Sequence, residues 1–223
     1  KRIIGITSSI PSEGKTLVSI LLSKTISNMN KKVLLIDADM RRPSVHKDLG
    51  IKNDYGLTDI LLTDINQYES NIKQVDRYNN FFLLTAGSIT TEAPKLLASK
   101  NFKSLISNIS QSKKYDFIIL NNTPLLGLSD ALYASENTDG VILVVSLNKV
   151  NKELVKESLL RIKSSKNISI IGLVANYIKR YEFKYYVNDE FNIYDKFYKS
   201  YYQGEIQKSK PNSNNNLIKK MKS

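Results

Sequence analysis

The sharpest chemical signal in this 223-residue chain is three consecutive residues, Gly14, Lys15 and Thr16. An apolar run, Ile3 to Ile6, and a polar turn precede them, and LVSILLSKTI follows as a helical pattern. A strand, a turn and a helix that opens on Gly-Lys-Thr make a phosphate-binding loop. Backbone N–H groups at such a loop point at an anion, and the helix dipole favours negative charge there. Gly14 lets the backbone approach a phosphate. Lys15 reaches the outer phosphates, and the Thr16 hydroxyl suits a magnesium ion.

The second signal is VLLIDADMRRP, residues 33–43. Asp37 and Asp39 are two apart on an extended segment, so their side chains point the same way. Two carboxylates beside a triphosphate can hold Mg²⁺ or accept a proton. Two solvated loop aspartates are the bland alternative. A third signal is DFIILNNTP, residues 116–124, where an apolar run ends in Asn121. Nucleotide sites usually place an aspartate there to support the metal. An amide can still hydrogen-bond a metal-bound water, but it supplies no charge.

These residues need a scaffold that gathers them at one edge. Short, continuously apolar runs at 2–7, 33–36, 81–84, 116–120, 141–146 and 168–175 predict strands covered on both faces. Helical patterns at 15–29, 57–62, 94–111 and 150–165 alternate with them. The fold class expected is α/β: a doubly wound, mostly parallel sheet with helices on both faces, its site at the carboxyl ends of the strands.

Composition is consistent with one such domain and a tail. There is no cysteine, which excludes disulfides and thiolate metal sites. No apolar run reaches membrane-span length. The net charge of +12 suggests an acidic partner, or only solvated basic surface. After residue 176 the chain turns rich in tyrosine, and from Gln203 it is polar and basic, a pattern that predicts disorder. The expected organisation is a nucleotide-binding domain over 1–180, a partly helical tyrosine-rich tail over 181–202 and a basic tail over 203–223.

SIPSEGKT, LLIDADMRRPSVHK, YDFIIL with LLGLSDA, DGVILVV and IIGLVAN occur in that order. Together they resemble the cytoplasmic domain of bacterial tyrosine kinases (BY-kinases) of the polysaccharide-copolymerase type, in the deviant Walker group of P-loop ATPases. The resemblance covers residues 1 to about 180. It implies a Walker A loop at Ser9–Thr16, Walker A′ carboxylates at Asp37 and Asp39, and Asn121 where the Walker B aspartate is usual. The implied nucleotide contacts are Ser12, Glu13, Gly14, Lys15, Thr16, Leu17 and Asn176, the last near the adenine. The implied metal set is Thr16, Asp37, Asp39 and Asn121. Lys15, Asp37 and Asp39 would be catalytic, with Asp37 taking the phenol proton.

The resemblance further implies ATP and Mg²⁺ and a homo-oligomer in which one subunit's tail enters a neighbour's site. It also implies a membrane-spanning polysaccharide co-polymerase segment or partner, and a place at the cytoplasmic face of the plasma membrane. Tyr201 and Tyr202 are the leading phosphoacceptors, with Tyr185 and Tyr186 next. Tyr194 and Tyr198 lie on a helical stripe with Phe191 and read as packing residues. Arg41 and Arg42 could meet phosphate or a neighbouring subunit, or be solvated. His46 has no companion ligand and reads as a surface helix residue. Lys179, Arg180 and Lys184 among tyrosines could suit nucleic acid, but they also suit a solvated helix.

The leading reading is an ATP-dependent protein-tyrosine autokinase regulating exopolysaccharide synthesis and export. Asn121 motivates a second reading, a nucleotide-binding assembly module with little kinase activity. A partitioning-type DNA-binding ATPase is a third; Ile10, where that branch carries a lysine, and the tyrosine tail count against it.

Overall fold

A computed structural model describes residues 2–165 and 167–178. The tyrosine-rich and basic tails, and with them Tyr181, Tyr185, Tyr186, Phe191, Tyr194, Tyr198, Tyr201, Tyr202, Lys179, Arg180 and Lys184, lie outside the described residues. Elements run β1 (Ile3–Ser8), α1 (Lys15–Asn28), β2 (Val33–Asp37), α2 (Val45–Leu49), α3 (Leu57–Leu62) and a 3₁₀ turn (Ile65–Gln67). Then follow α4 (Tyr68–Asn71), β3 (Lys73–Gln74), β4 (Phe81–Leu84), α5 (Ala93–Leu97), α6 (Lys100–Gln111), β5 (Phe117–Asn121), α7 (Asp130–Ser135), β6 (Gly140–Ser146), α8 (Lys152–Ser164) and β7 (Ile170–Asn176).

The strands form one sheet in the order β3-β4-β2-β5-β1-β6-β7. All neighbours are parallel except β3 with β4. The central strands are covered on both faces, which is why they are apolar without a break, whereas the edge strand β7 leaves Leu173 exposed. Along β2, Leu34 and Ile36 join one core with Leu57, Ile60, Phe102 and Leu105. Val33 and Leu35 join the other with Ile6, Ile20 and Ile26. Successive side chains of a strand point to opposite faces, so one pentapeptide serves both cores.

The expected doubly wound sheet is observed, with four local differences. The predicted helix over 94–111 is two helices, broken at Ala98–Ser99, where the Ser99 hydroxyl caps the second by accepting from Phe102 N at 3.2 Å. Helices α2, α4 and α7 are at most six residues long and carry too few turns for a periodic signal. Strand β3 is a two-residue antiparallel edge. Asp39 lies beyond the end of β2, so the two aspartates do not share a strand.

Helix α1 buries Ile20 and Ile26 in the core but carries a second buried stripe of serines. Ser19 and Ser23 are fully buried and Ser27 nearly so, while Leu17 and Leu21 are exposed. The serines stay satisfied locally, because Ser19 and Ser23 each donate to the carbonyl four residues back. Small residues on that face bring the helix close to β5 and place Ser19 beside Asn121.

Candidate active site

The central strands β1, β2 and β5 end together. In register, Asp37 sits opposite Asn121, and Ile6 of β1 opposite Asn121 on its other side. The phosphate loop leaves β1 at this edge. A cavity of about 880 Å³ opens there, lined by Ser12, Gly14, Lys15, Thr16, Leu17, Asp39, Arg41, Arg42, Ser44, Thr123, Leu126, Lys149 and Tyr177, among others.

The loop is held from beneath. The buried Glu13 carboxylate accepts from Ile10 N at 2.7 Å and from Ser146 N, at the end of β6, at 2.8 Å. Its side chain is therefore structural, and only its backbone belongs to the loop. Asn176, at the end of β7, donates to Glu13 O at 2.9 Å, and its carbonyl accepts from Tyr177 N. The side-chain amide expected near an adenine is thus taken up in clasping the loop. Gly14 has φ +93°, and a Cβ there would come within 2.1 Å of Asn176 Nδ2. Glycine is required on both counts. Ser12 also has a positive φ of 66°, a conformation that favours glycine.

The two aspartates have different surroundings. Asp39 lines the cavity and accepts from Lys15 Nζ at 2.9 Å and Arg42 N at 3.0 Å. Asp37 is fully buried and does not line the cavity. Its Oδ1 accepts from Asn121 Nδ2 at 2.9 Å and Asp39 N at 3.3 Å, and its Oδ2 from Ser44 N and Val45 N, both at 3.3 Å. Burial pushes the Asp37 carboxyl up to about 6, against the lowering effect of the Asn121 hydrogen bond. Asn121 is engaged at both ends, because its carbonyl lies 3.2 Å from Ser19 Oγ, whose one proton is shared with Lys15 O. It orients Asp37 rather than facing the cavity itself.

Several participants were not foreseen from the sequence. Ser44 Oγ lies 3.2 Å from Thr16 Oγ1. Together with the carboxylates this is an all-oxygen donor set, the kind that suits Mg²⁺. Lys149 Nζ donates to Ser12 O at 3.0 Å and lies 5.7 Å from the Tyr177 ring centroid. The Asn148 amide donates to Tyr177 O, and Tyr177 is 49% exposed at the cavity wall. Arg41 makes a two-pronged pair with Asp130, at 2.6 and 3.4 Å. Arg42 is exposed. His46 is half-buried rather than on the surface, and burial lowers its pKa.

A family model described as an AAA domain matches residues 1–170. Tyrosine-protein kinase YwqD of Bacillus subtilis (strain 168) is 35% identical over 191 residues, covering 81% of this chain and 76% of the relative. The chain belongs to the bacterial tyrosine-protein kinases. Another tyrosine kinase of the family, wzc of Salmonella typhimurium (strain LT2), is 33% identical over 178 residues, which are 80% of this chain but 24% of that protein. The kinase domain of the Escherichia coli tyrosine kinase ETK superposes with a TM-score of 0.73 at 29% identity, covering 81% of this chain and 69% of that one. Among the described residues of this tyrosine kinase, no helix is long and apolar enough to cross a membrane.

Proposed function

We propose that the chain binds Mg–ATP in the cavity at the ends of β1, β2 and β5 and transfers the γ-phosphoryl group to tyrosine hydroxyls of its own kind. The observation that carries this is the convergence of Lys15, Thr16 and Asp39 on one cavity beneath a loop held in phosphate-binding form. Residues 1–180 are the catalytic part, 181–202 supply acceptors, Tyr185, Tyr186, Tyr201 and Tyr202 among them, and 203–223 form a basic extension. Ser12, Gly14, Lys15, Thr16 and Leu17 take the phosphates, and Tyr177 takes the base face in place of the Asn176 amide. Thr16 and Ser44, with Asp37 and Asp39 behind them, would hold Mg²⁺. When bound, the ion draws charge from the phosphate oxygens.

The acceptor phenol oxygen bonds to the γ-phosphorus as the bridging P–O bond breaks, and that electron pair leaves with ADP. Catalysis here is mostly positioning and charge stabilisation. Lys15 and the loop amides stabilise the phosphates. The phenol proton passes to Asp39, the carboxylate that lines the cavity, rather than to Asp37, whose oxygens face backbone amides. Acceptors come from a neighbouring subunit's tail in a homo-oligomer. A membrane-spanning co-polymerase partner or segment places the kinase at the cytoplasmic face of the plasma membrane, where it regulates exopolysaccharide export.

The test is incubation of the chain with Mg–ATP and mapping of phosphotyrosine by mass spectrometry. Labelled tail tyrosines are expected, and none with Lys15→Ala. If the native chain stays unlabelled while Asn121→Asp labels strongly, the second reading holds: a nucleotide-binding assembly module whose neutral Asn121 limits transfer.

A further inference from the structure

Two groups on the cavity wall lie outside the phosphate loop. The first is an apolar shelf, Pro124, Leu126 and Leu128, between β5 and α7. It is tied in place: Leu125 N donates to Ser8 O at 2.8 Å, Leu126 N to Ser9 O at 3.0 Å, and Arg161 to Leu128 O at 2.9 Å. The second is the Arg42 guanidinium. Its neighbour Arg41 is held by Asp130, but Arg42 is exposed and forms no ion pair among the described residues. Of the acids lining the cavity, Asp39 pairs with Lys15, and Asp48 pairs with neither arginine. The Arg42 main chain is fixed by its bond to Asp39 Oδ1, so this cation is anchored at the rim, beside the carboxylate that faces the cavity.

We propose that the site selects tyrosines flanked by acidic residues, with the phenol ring against the Pro124–Leu126–Leu128 shelf and the acidic flank against Arg42. This rests on the tyrosine-kinase reading and names its substrate class. An aromatic ring needs an apolar surface beside the phosphates, and the shelf offers one apart from Pro11, Leu17 and Tyr177, which also line the cavity. A rim arginine without an acid of its own attracts a peptide carboxylate.

The chain's own tyrosines differ in this respect. Tyr186 and Tyr194 bracket Asp189 and Glu190, and Asp195 follows Tyr194 directly. Tyr201 and Tyr202 follow Lys196 and Lys199, with Glu205 as the one acid nearby. Tyr186 and Tyr194, presented by another copy, are therefore phosphorylated ahead of Tyr201 and Tyr202.

The experiment uses the full chain with Mg–ATP and two synthetic peptides. One spans residues 183–197, with three acids against two lysines; the other spans 196–206, with two lysines against one acid. An exposed charge pair changes kcat/KM by about two- to fivefold. The first peptide is expected to lead by about two- to fivefold at low salt, mainly through KM, and by far less at 0.5 M salt, where screening shortens electrostatic reach. Arg42→Ala should bring the ratio near one, and Arg42→Glu should favour the second peptide. A native ratio near one, or an Arg42→Glu variant that slows both peptides equally, overturns the proposal. The second outcome would instead mark Arg42 as a phosphate contact. If neither peptide is labelled, the tyrosine-kinase reading itself falls.

Discussion

Asp37 shows how one buried carboxylate can govern pH behaviour. Burial raises its folded pKa to about 6 from an ordinary 3.8, with the Asp39 charge adding to the rise and Asn121 and Lys15 opposing it. Protonation therefore favours the folded state. The contribution is fully present below the unfolded value and is lost as pH rises through about 6. Ionised at pH 8, the group costs roughly 3 kcal/mol. Asp37→Asn removes that cost. The new NH₂ can donate to Asn121 if that amide rotates, but Asp39 N then loses its acceptor, so the test reads the pH slope and not the absolute stability. In nucleotide-free urea unfolding, the native chain is expected to lose stability between pH 4 and 7, and the variant should lack that decline. An unchanged slope would place the titration elsewhere. The same geometry gives Asn121 a physical role: an aspartate there would set a second buried carboxylate 2.9 Å from the first and raise the cost of ionising either one.

Elements meet through a few polar ties, and these differ in what their loss costs. The Arg41–Asp130 pair joins the segment after β2 to the first turn of α7. The Asp130 side chain is 1% exposed and that of Arg41 29%. Arg41→Ala leaves the aspartate buried without its partner, and breaking such a pair costs about 3 kcal/mol or more. Arg42→Ala, one residue on and exposed, should stay within about 0.5 kcal/mol of the native chain. Chemical denaturation of both variants tests this, and equal losses would contradict the assignment. Nothing in the sequence distinguishes the two arginines, because the distinction comes from α7. That helix, Asp130–Ser135, is too short for a periodic signal. The long apolar strands and the Gly-Lys-Thr turn were legible because their information is local. The broken helix at Ala98–Ser99 was not, since Leu96, Leu97, Phe102 and Leu105 keep helical spacing across the gap.

At the scale of the whole molecule, the strand order brings together positions that are remote in sequence. Glu13 reaches Ser146 across 133 residues, and Asn176 reaches Glu13 across 163. The loop was therefore legible in the sequence but its clasp was not: Asn176, expected near the adenine, donates its amide to Glu13 O. This arrangement makes ligand binding a property of the whole sheet. A ligand that binds only the folded state at a hundredfold above Kd adds about 2.7 kcal/mol. For a domain of this size that corresponds to a rise in Tm of about 5–10 °C. Mg–ATP should produce such a rise, and inorganic tripolyphosphate with Mg²⁺ a smaller one. Tyr177→Ala removes a stacking face, at about 1–3 kcal/mol by analogy with other base–aromatic contacts. It should therefore cut the ATP-induced rise by about half or more and leave the tripolyphosphate rise intact, while Tyr177→Phe restores both. If Tyr177→Ala reduces the two rises equally, the ring supports the loop through Lys149 and Gly14, and base recognition lies elsewhere.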